Sequence, residues 1–138
     1  MAKTTYDTYL EAEVLGADAV TLVHMLYRGA IEAVAEARRY LAERAIRERS
    51  SKITKAWEIV HELRLSLDRE RGGEISRRLD DLYGYIQARL LEANARQTDA
   101  PLAEVESLLM TLCEGWQEAR EPVVASAPTE YAPLSCVY

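Results

Sequence analysis

Apolar positions between Asp18 and Arg120 fall into four back-to-back runs with helical spacing. In the first, Ala19, Val23, Leu26, Ala30, Ala33, Ala37 and Leu41 recur at steps of three and four, which stacks their side chains on one helical face. Asp18 stands where a carboxylate caps the opening turn. A second row, Val20, Tyr27, Ile31 and Val34, runs beside that seam and makes the apolar arc wider than a single helical contact needs. The second run is expected to begin after Ser50 or Ser51, to repeat Ile53, Trp57, Val60, Leu63 and Leu67, and to stop at Gly72 and Gly73, where a left-handed terminus is cheap. The third lines up Ile75, Leu79, Leu82, Ile86, Leu90 and Ala93, with Tyr83 widening the stripe and an end near Asn94 to Gln97. Thr98, Asp99, Ala100 and Pro101 supply a cap and an early proline for the fourth, which carries Leu102, Val105, Leu109, Leu112 and Trp116.

Short connections make consecutive helices antiparallel. The predicted fold class is therefore all-α: an up-down-up-down four-helix bundle over residues 18–120, its helices crossing at roughly 20°. Residues 1–17 form a leader that contains Tyr6, Tyr9, Leu10, Val14 and Leu15, too short to fold alone and apolar enough to lie against the bundle. Residues 121–138 hold three of the four prolines and only two charges, and are expected to form an extended tail. Tyr131, Leu134, Val137 and Tyr138 leave two fates open for that tail, disorder or docking onto an apolar groove.

Composition narrows the function classes. Within 138 residues, 49% are hydrophobic and 29% charged, which suits one small domain with its own core. A net charge of -6 and a pI near 5.0, with Lys and Arg interleaved by acids, argue against a nucleic-acid partner. Stretches free of charge fall far short of the roughly 20 apolar residues of a membrane span, and the opening residues lack the pattern of a signal peptide, so a cytosolic protein without membrane insertion is expected. Cys113 and Cys136 have neither a paired framework nor metal-ligand spacing and read as reduced thiols.

Catalytic chemistry finds no footing in these residues. Glu58-Ile59-Val60-His61 is half of a di-iron carboxylate signature, but the other histidine, His24, has Thr21 at the required offset. Cys113 has Glu114 beside it and no histidine at helical spacing, so a thiolate nucleophile would lack its base and a buried structural thiol is expected. The mixed charges of residues 38–49 and 68–78 are solvated faces. No enzyme, metal or cofactor is expected.

Taken in order, Tyr6-x-x-Tyr9-x-x-x-x-Val14, Met25-Leu26-Tyr27-x-Gly29-Ala30-Ile31, Lys55-Ala56-x-x-Ile59, Glu62-Leu63-x-x-x-Leu67-Asp68, Gly72-Gly73-Glu74-Ile75, Leu82-Tyr83-x-Tyr85, Leu90-Leu91-x-Ala93-Asn94 and Trp116 resemble the flagellar secretion chaperone family specific for flagellin. The family's Thr-Pro before the first helix is replaced by Gly16, Ala17 and Asp18, and the proline-bearing tail has no counterpart in the resemblance. The resemblance implies a chaperone of flagellar protein export that holds the C-terminal segment of flagellin in the cytosol, prevents premature polymerisation and delivers it to the cytoplasmic domain of the export gate. Met25, Tyr27, Ile31, Ile59, Tyr83 and Leu91 become the expected flagellin-binding groove, and Tyr6, Tyr9 and Val14 the expected cap and export-gate contact. Met, Tyr or Ile at helical spacing is more often core than groove, so the sum of these positions carries the expectation. The alternative is a non-catalytic bundle that buries its second stripe in a homodimer or against another amphipathic helix as a regulatory adaptor.

Overall fold

The computed structural model describes the backbone of residues 19–126 and the side chains of residues 20–118. Four helices account for this stretch: α1 Ala19–Ala42, α2 Ile46–Leu65, α3 Arg69–Arg96 and α4 Ala100–Ser126. α1 packs against α2 and α4, and α3 against the same two, so the helices close into a square with α1 and α3 on one diagonal. This is the all-α bundle expected from the apolar spacing.

The seams that the spacing picked out supply the core. Val23, Leu26, Ala30, Ala33 and Ala37 from α1, Ile53, Val60 and Leu63 from α2, Ile86, Leu90 and Ala93 from α3, and Leu102, Val105, Leu109 and Trp116 from α4 form one buried cluster. Small residues bring α1 close to α2: a Cβ at Gly29 would lie 3.4 Å from Ile59 Cδ1. The bundle centre is filled by Tyr27 and Tyr83, the largest of the fully buried side chains. Their hydroxyls meet at 2.5 Å, joining α1 to α3 across the diagonal.

Boundaries depart from expectation in three places, each with a local cause. α2 begins at Ile46, before Ser50 or Ser51, because the α1–α2 link turns on Arg44 in a left-handed conformation (φ 62°) and Ala45 donates its N–H to Tyr40 O at 2.9 Å. Ser50 is then free to donate from Oγ to Asn94 Oδ1 on α3, at 3.0 Å, and Arg49, buried beside it, donates to the same oxygen at 3.2 Å. The second departure is the α2–α3 hairpin, which lies at residues 66–68 and not at Gly72 and Gly73. Asp68 caps α3 by accepting from the Arg71 N–H at 2.9 Å, and Ser76 Oγ donates to Asp68 O at 2.8 Å. Gly73 breaks α3 inside its first turns (φ 56°, ψ -127°), a backbone that only glycine adopts without strain. Third, α4 continues through Pro122 to Ser126, into the stretch read as an extended tail; proline removes one rung of the helical ladder there without ending it. Asp18, the leader and residues 127–138 lie outside the described residues.

Ion pairs tie the helix edges. Arg64 reaches across from α2 to Asp80 at 2.6 Å and to Gln87 at 2.9 Å, passing over Gly84, and Arg69 also holds Asp80, at 3.1 Å. Arg38 grips Asp99 with two nitrogens and Glu106 with a third, which pins the end of α1 to the start of α4. Arg89 and Tyr85 both donate to Glu104 and join α3 to α4.

Two outcomes follow from the tyrosine pair and from Asp80. Replacing Tyr27 or Tyr83 by Phe should each cost about 1 kcal/mol in urea unfolding, and the double variant should cost clearly less than the sum, since the second change removes a partner already lost. Additive losses would mean that the two hydroxyls act independently. Hydrogen bonds from Arg69 and Arg64 hold the Asp80 carboxyl down to about 2, below its ordinary 3.8. A depressed carboxylate stabilises the fold fully above its ordinary pKa, and the effect fades as pH falls from near 4 towards 2. Asp80→Asn should therefore lose about 1 kcal/mol near neutrality, a surface ion pair being screened by solvent, and should flatten the stability profile over that acid window.

Candidate functional site

Between α1 and α4 the surface opens into a groove of about 440 Å³ lined by Arg28, Ile31, Glu32, Ala35, Met110, Cys113 and Glu114. Its geometry follows from helical spacing. Residues 28, 31, 32 and 35 lie at steps of three and four on α1, and 110, 113 and 114 do the same on α4, so two antiparallel stripes face each other along a trough. Ile31, Ala35, Met110 and Cys113 give it an apolar floor, while Arg28, Glu32 and Glu114 give it a charged rim. Ile31 packs against the core, whereas Met110 remains 47% exposed, an unbranched and adaptable side chain offered to solvent.

The groove is shaped for contact and not for reaction. Burial raises the Cys113 thiol above its ordinary value, with Glu114 pushing the same way and Arg28 opposing, so it stays protonated at neutral pH. Its sulfur lies 3.9 Å from His24 Nδ1 on α1. His61, the histidine of the Glu58-x-x-His61 half-signature, stacks on Trp57 with ring centroids 5.2 Å apart. Among the described residues no group of three His, Cys, Asp or Glu side chains is placed to hold a metal ion.

The residues expected to form the groove separate into two sets. Tyr27, Ile59 and Tyr83 are buried in the core and present no surface; the wide stripe that suggested a binding face is consumed by the tyrosine pair at the bundle centre. Met25, Ile31 and Leu91 do reach the surface, Ile31 only in part. Met25 lies on the exposed α1 row that continues through Arg28, Glu32 and Ala35. Leu91, 57% exposed, stands between Gln87 and Asn94, and both of those bond across to α2, so it belongs to the α2–α3 flank on the far side of the square. Tyr6, Tyr9 and Val14 lie outside the described residues.

Sequence reasoning missed Ala35, Met110 and Cys113 as groove positions. The signal was present in Leu108, Leu109 and Met110: three successive apolar residues on a helix span too wide an arc for all to face the core. Leu109 is buried, Leu108 is half-buried, and Met110 is left outside.

Comparison with known proteins identifies the family. The family described as Flagellar protein FliS matches residues 1–123. The flagellar secretion chaperone FliSB of Pseudomonas aeruginosa is 41% identical over 107 residues, covering 78% of this chain and 85% of its own length. Flagellar secretion chaperone FliS of Salmonella typhimurium is 36% identical over 110 residues (79% and 82%), and that of Escherichia coli 32% over 111 (80% and 82%). An open apolar trough suits a chaperone, and the chain belongs to the FliS family of flagellar secretion chaperones.

Proposed function

We propose that this chaperone binds the C-terminal segment of flagellin in the cytosol, keeps it from polymerising prematurely, and carries it to the cytoplasmic domain of the flagellar export gate. The α1–α4 groove carries the reading: an apolar trough with a charged rim accepts the nonpolar face of an amphipathic helix and leaves its polar face in water. A flagellin end that later packs as helices is, before assembly, an unfolded amphipathic chain prone to self-association, and burying its apolar positions removes that hazard. Among the described residues no helix is long and apolar enough to cross a membrane. Met25, Ile31 and Met110 would contact the client on one flank and Leu91 on the opposite one, so a client that meets both must pass around the bundle and cannot bind as one straight helix. Tyr27, Ile59 and Tyr83, buried in the core, would not touch the client. Tyr6, Tyr9 and Val14 would form the movable cap that meets the export gate.

Titration calorimetry with the C-terminal segment of the same organism's flagellin should give one-to-one binding with a negative heat-capacity change, the mark of apolar burial. Met110→Asp should weaken it about tenfold or more, a buried apolar side chain contributing about 1.5–3 kcal/mol, with little change in thermal stability because the side chain is exposed in the free protein. No binding heat, or full affinity in the variant, would overturn the reading. Alanine at both Tyr6 and Tyr9 should weaken binding to the export gate more than binding to flagellin; equal loss of the two would reject the leader as a gate contact.

A further inference from the structure

The charges of residues 38–49, mixed in sequence, are not balanced in the fold. Both short connections, 43–45 and 97–99, lie at one end of the bundle: Arg38 on α1 holds Asp99 ahead of α4, and Arg49 and Ser50 on α2 bond to Asn94 on α3. Residues 38–49 and 94–100 together carry six arginines against Glu43, Glu48 and Asp99, on a chain whose net charge is -6. We propose that this end of the bundle is a docking surface for an anionic lipid bilayer, on which the chaperone stands end-on. The inference goes beyond the client reading and does not depend on it.

Pairing sorts these charges. Arg38 is spent on Asp99 and Glu106, and Arg39 on Glu43. Arg44, Arg47 and Arg96 are exposed and make no ion pair among the described residues, while buried Arg49 donates to the neutral Asn94. Of the acids in these two stretches, Glu48 is left to oppose them. At the other end of the bundle, by contrast, Arg64 and Arg69 converge on Asp80, and Arg78 meets Glu74. Arg44 also occupies a left-handed turn position (φ 62°) that glycine holds with less strain, so the backbone does not account for an arginine there.

A bilayer fits this surface better than a soluble anion does, because the arginines flank an apolar side chain. Ile46 opens α2 between Arg44 and Arg47 and is 56% exposed, and Ala42, which closes α1, is exposed as well. A headgroup layer takes both kinds of group at once: lipid phosphates meet the guanidinium groups while the apolar side chain reaches the acyl boundary. The chain's excess of acid does not cancel the attraction. At 1.5 Å per residue α2 is about 30 Å long, several times the roughly 8 Å Debye length of physiological salt, so carboxylates towards the far end are screened from the surface. Each arginine near an anionic leaflet contributes about fivefold to partitioning, and three give weak, reversible attachment. Ala35, the groove residue nearest this end on α1, lies about 10 Å along the helix from Ala42, so the flank stays open to a client while the end is docked.

The test is co-sedimentation of the full chain with vesicles at millimolar lipid, one set of phosphatidylcholine alone and one of equal parts phosphatidylcholine and phosphatidylglycerol. At low salt the protein should sediment with the anionic vesicles and not with the neutral ones, and about 1 M salt should release it. R44Q/R47Q/R96Q should lower partitioning to the level of the neutral vesicles. Arg44→Gly relieves the turn and so keeps the fold; it should lower partitioning about fivefold with thermal stability retained. Equal partitioning on both kinds of vesicle, or unchanged partitioning in either variant, would overturn the proposal. Release by millimolar inorganic phosphate at constant ionic strength would also overturn it, by reducing the surface to an anion pocket. Capture of polyglutamate without attachment to vesicles would do the same, by assigning this end to an acidic protein.

Discussion

Two tyrosine hydroxyls at the centre of a square of helices constrain everything packed around them. Adjacent helices in such a bundle hold each other along continuous seams, but helices on a diagonal meet only through side chains long enough to reach the axis. Tyr27 and Tyr83 are that long, and their paired hydroxyls give α1 and α3 a directional contact that apolar packing alone cannot supply. Shifting α1 against α3 by one turn would break this buried hydroxyl pair, at a cost of about 1 kcal/mol or more. The register of α1, and with it the position of Ile31 and Ala35 on the groove wall, is fixed from inside.

The seams between neighbours are not equally closed. Arg64 with Asp80 and Gln87, and Arg49 and Ser50 with Asn94, lace α2 to α3. Arg89 and Tyr85 on Glu104 lace α3 to α4. Along α1 and α4 the charged ties among the described residues gather at the Arg38 end, where Asp99 and Glu106 are held. Further along, the two helices present Ile31 and Ala35 to Met110 and Cys113 with a gap between them. Polar lacing thus closes some flanks of the square and leaves an apolar one open, and that asymmetry turns a stable bundle into one with a binding face.

Much of this was legible in the sequence. Spacing at three and four named the helices and most of the core, because burying one face is the strongest force that folds an amphipathic helix. It could not give depth. Tyr27, Ile59 and Tyr83 belong to stripes too broad for one contact, and breadth alone does not distinguish a surface awaiting a partner from a centre that needs bulky side chains. Met110 was hidden for the opposite reason: it follows Leu109, which satisfied the core pattern, and the surplus residue drew no notice. The helix ends were misplaced where the backbone acts against residue preference, at Arg44 with a positive φ that glycine would normally take and at Gly73, which bends a helix near its start where the expectation was a hairpin.

The alanines of α1 carry a further consequence. Ala30, Ala33 and Ala37 are buried to 1% exposure or less, and alanine has no rotamers with which to adjust. The backbone of α1 behind the groove is therefore seated tightly on its neighbours and has no slack with which to admit a guest. Adjustment falls to the side chains that line the trough, Arg28 and Glu32 on α1 and Met110 on α4, so the groove keeps a fixed course and an adaptable rim.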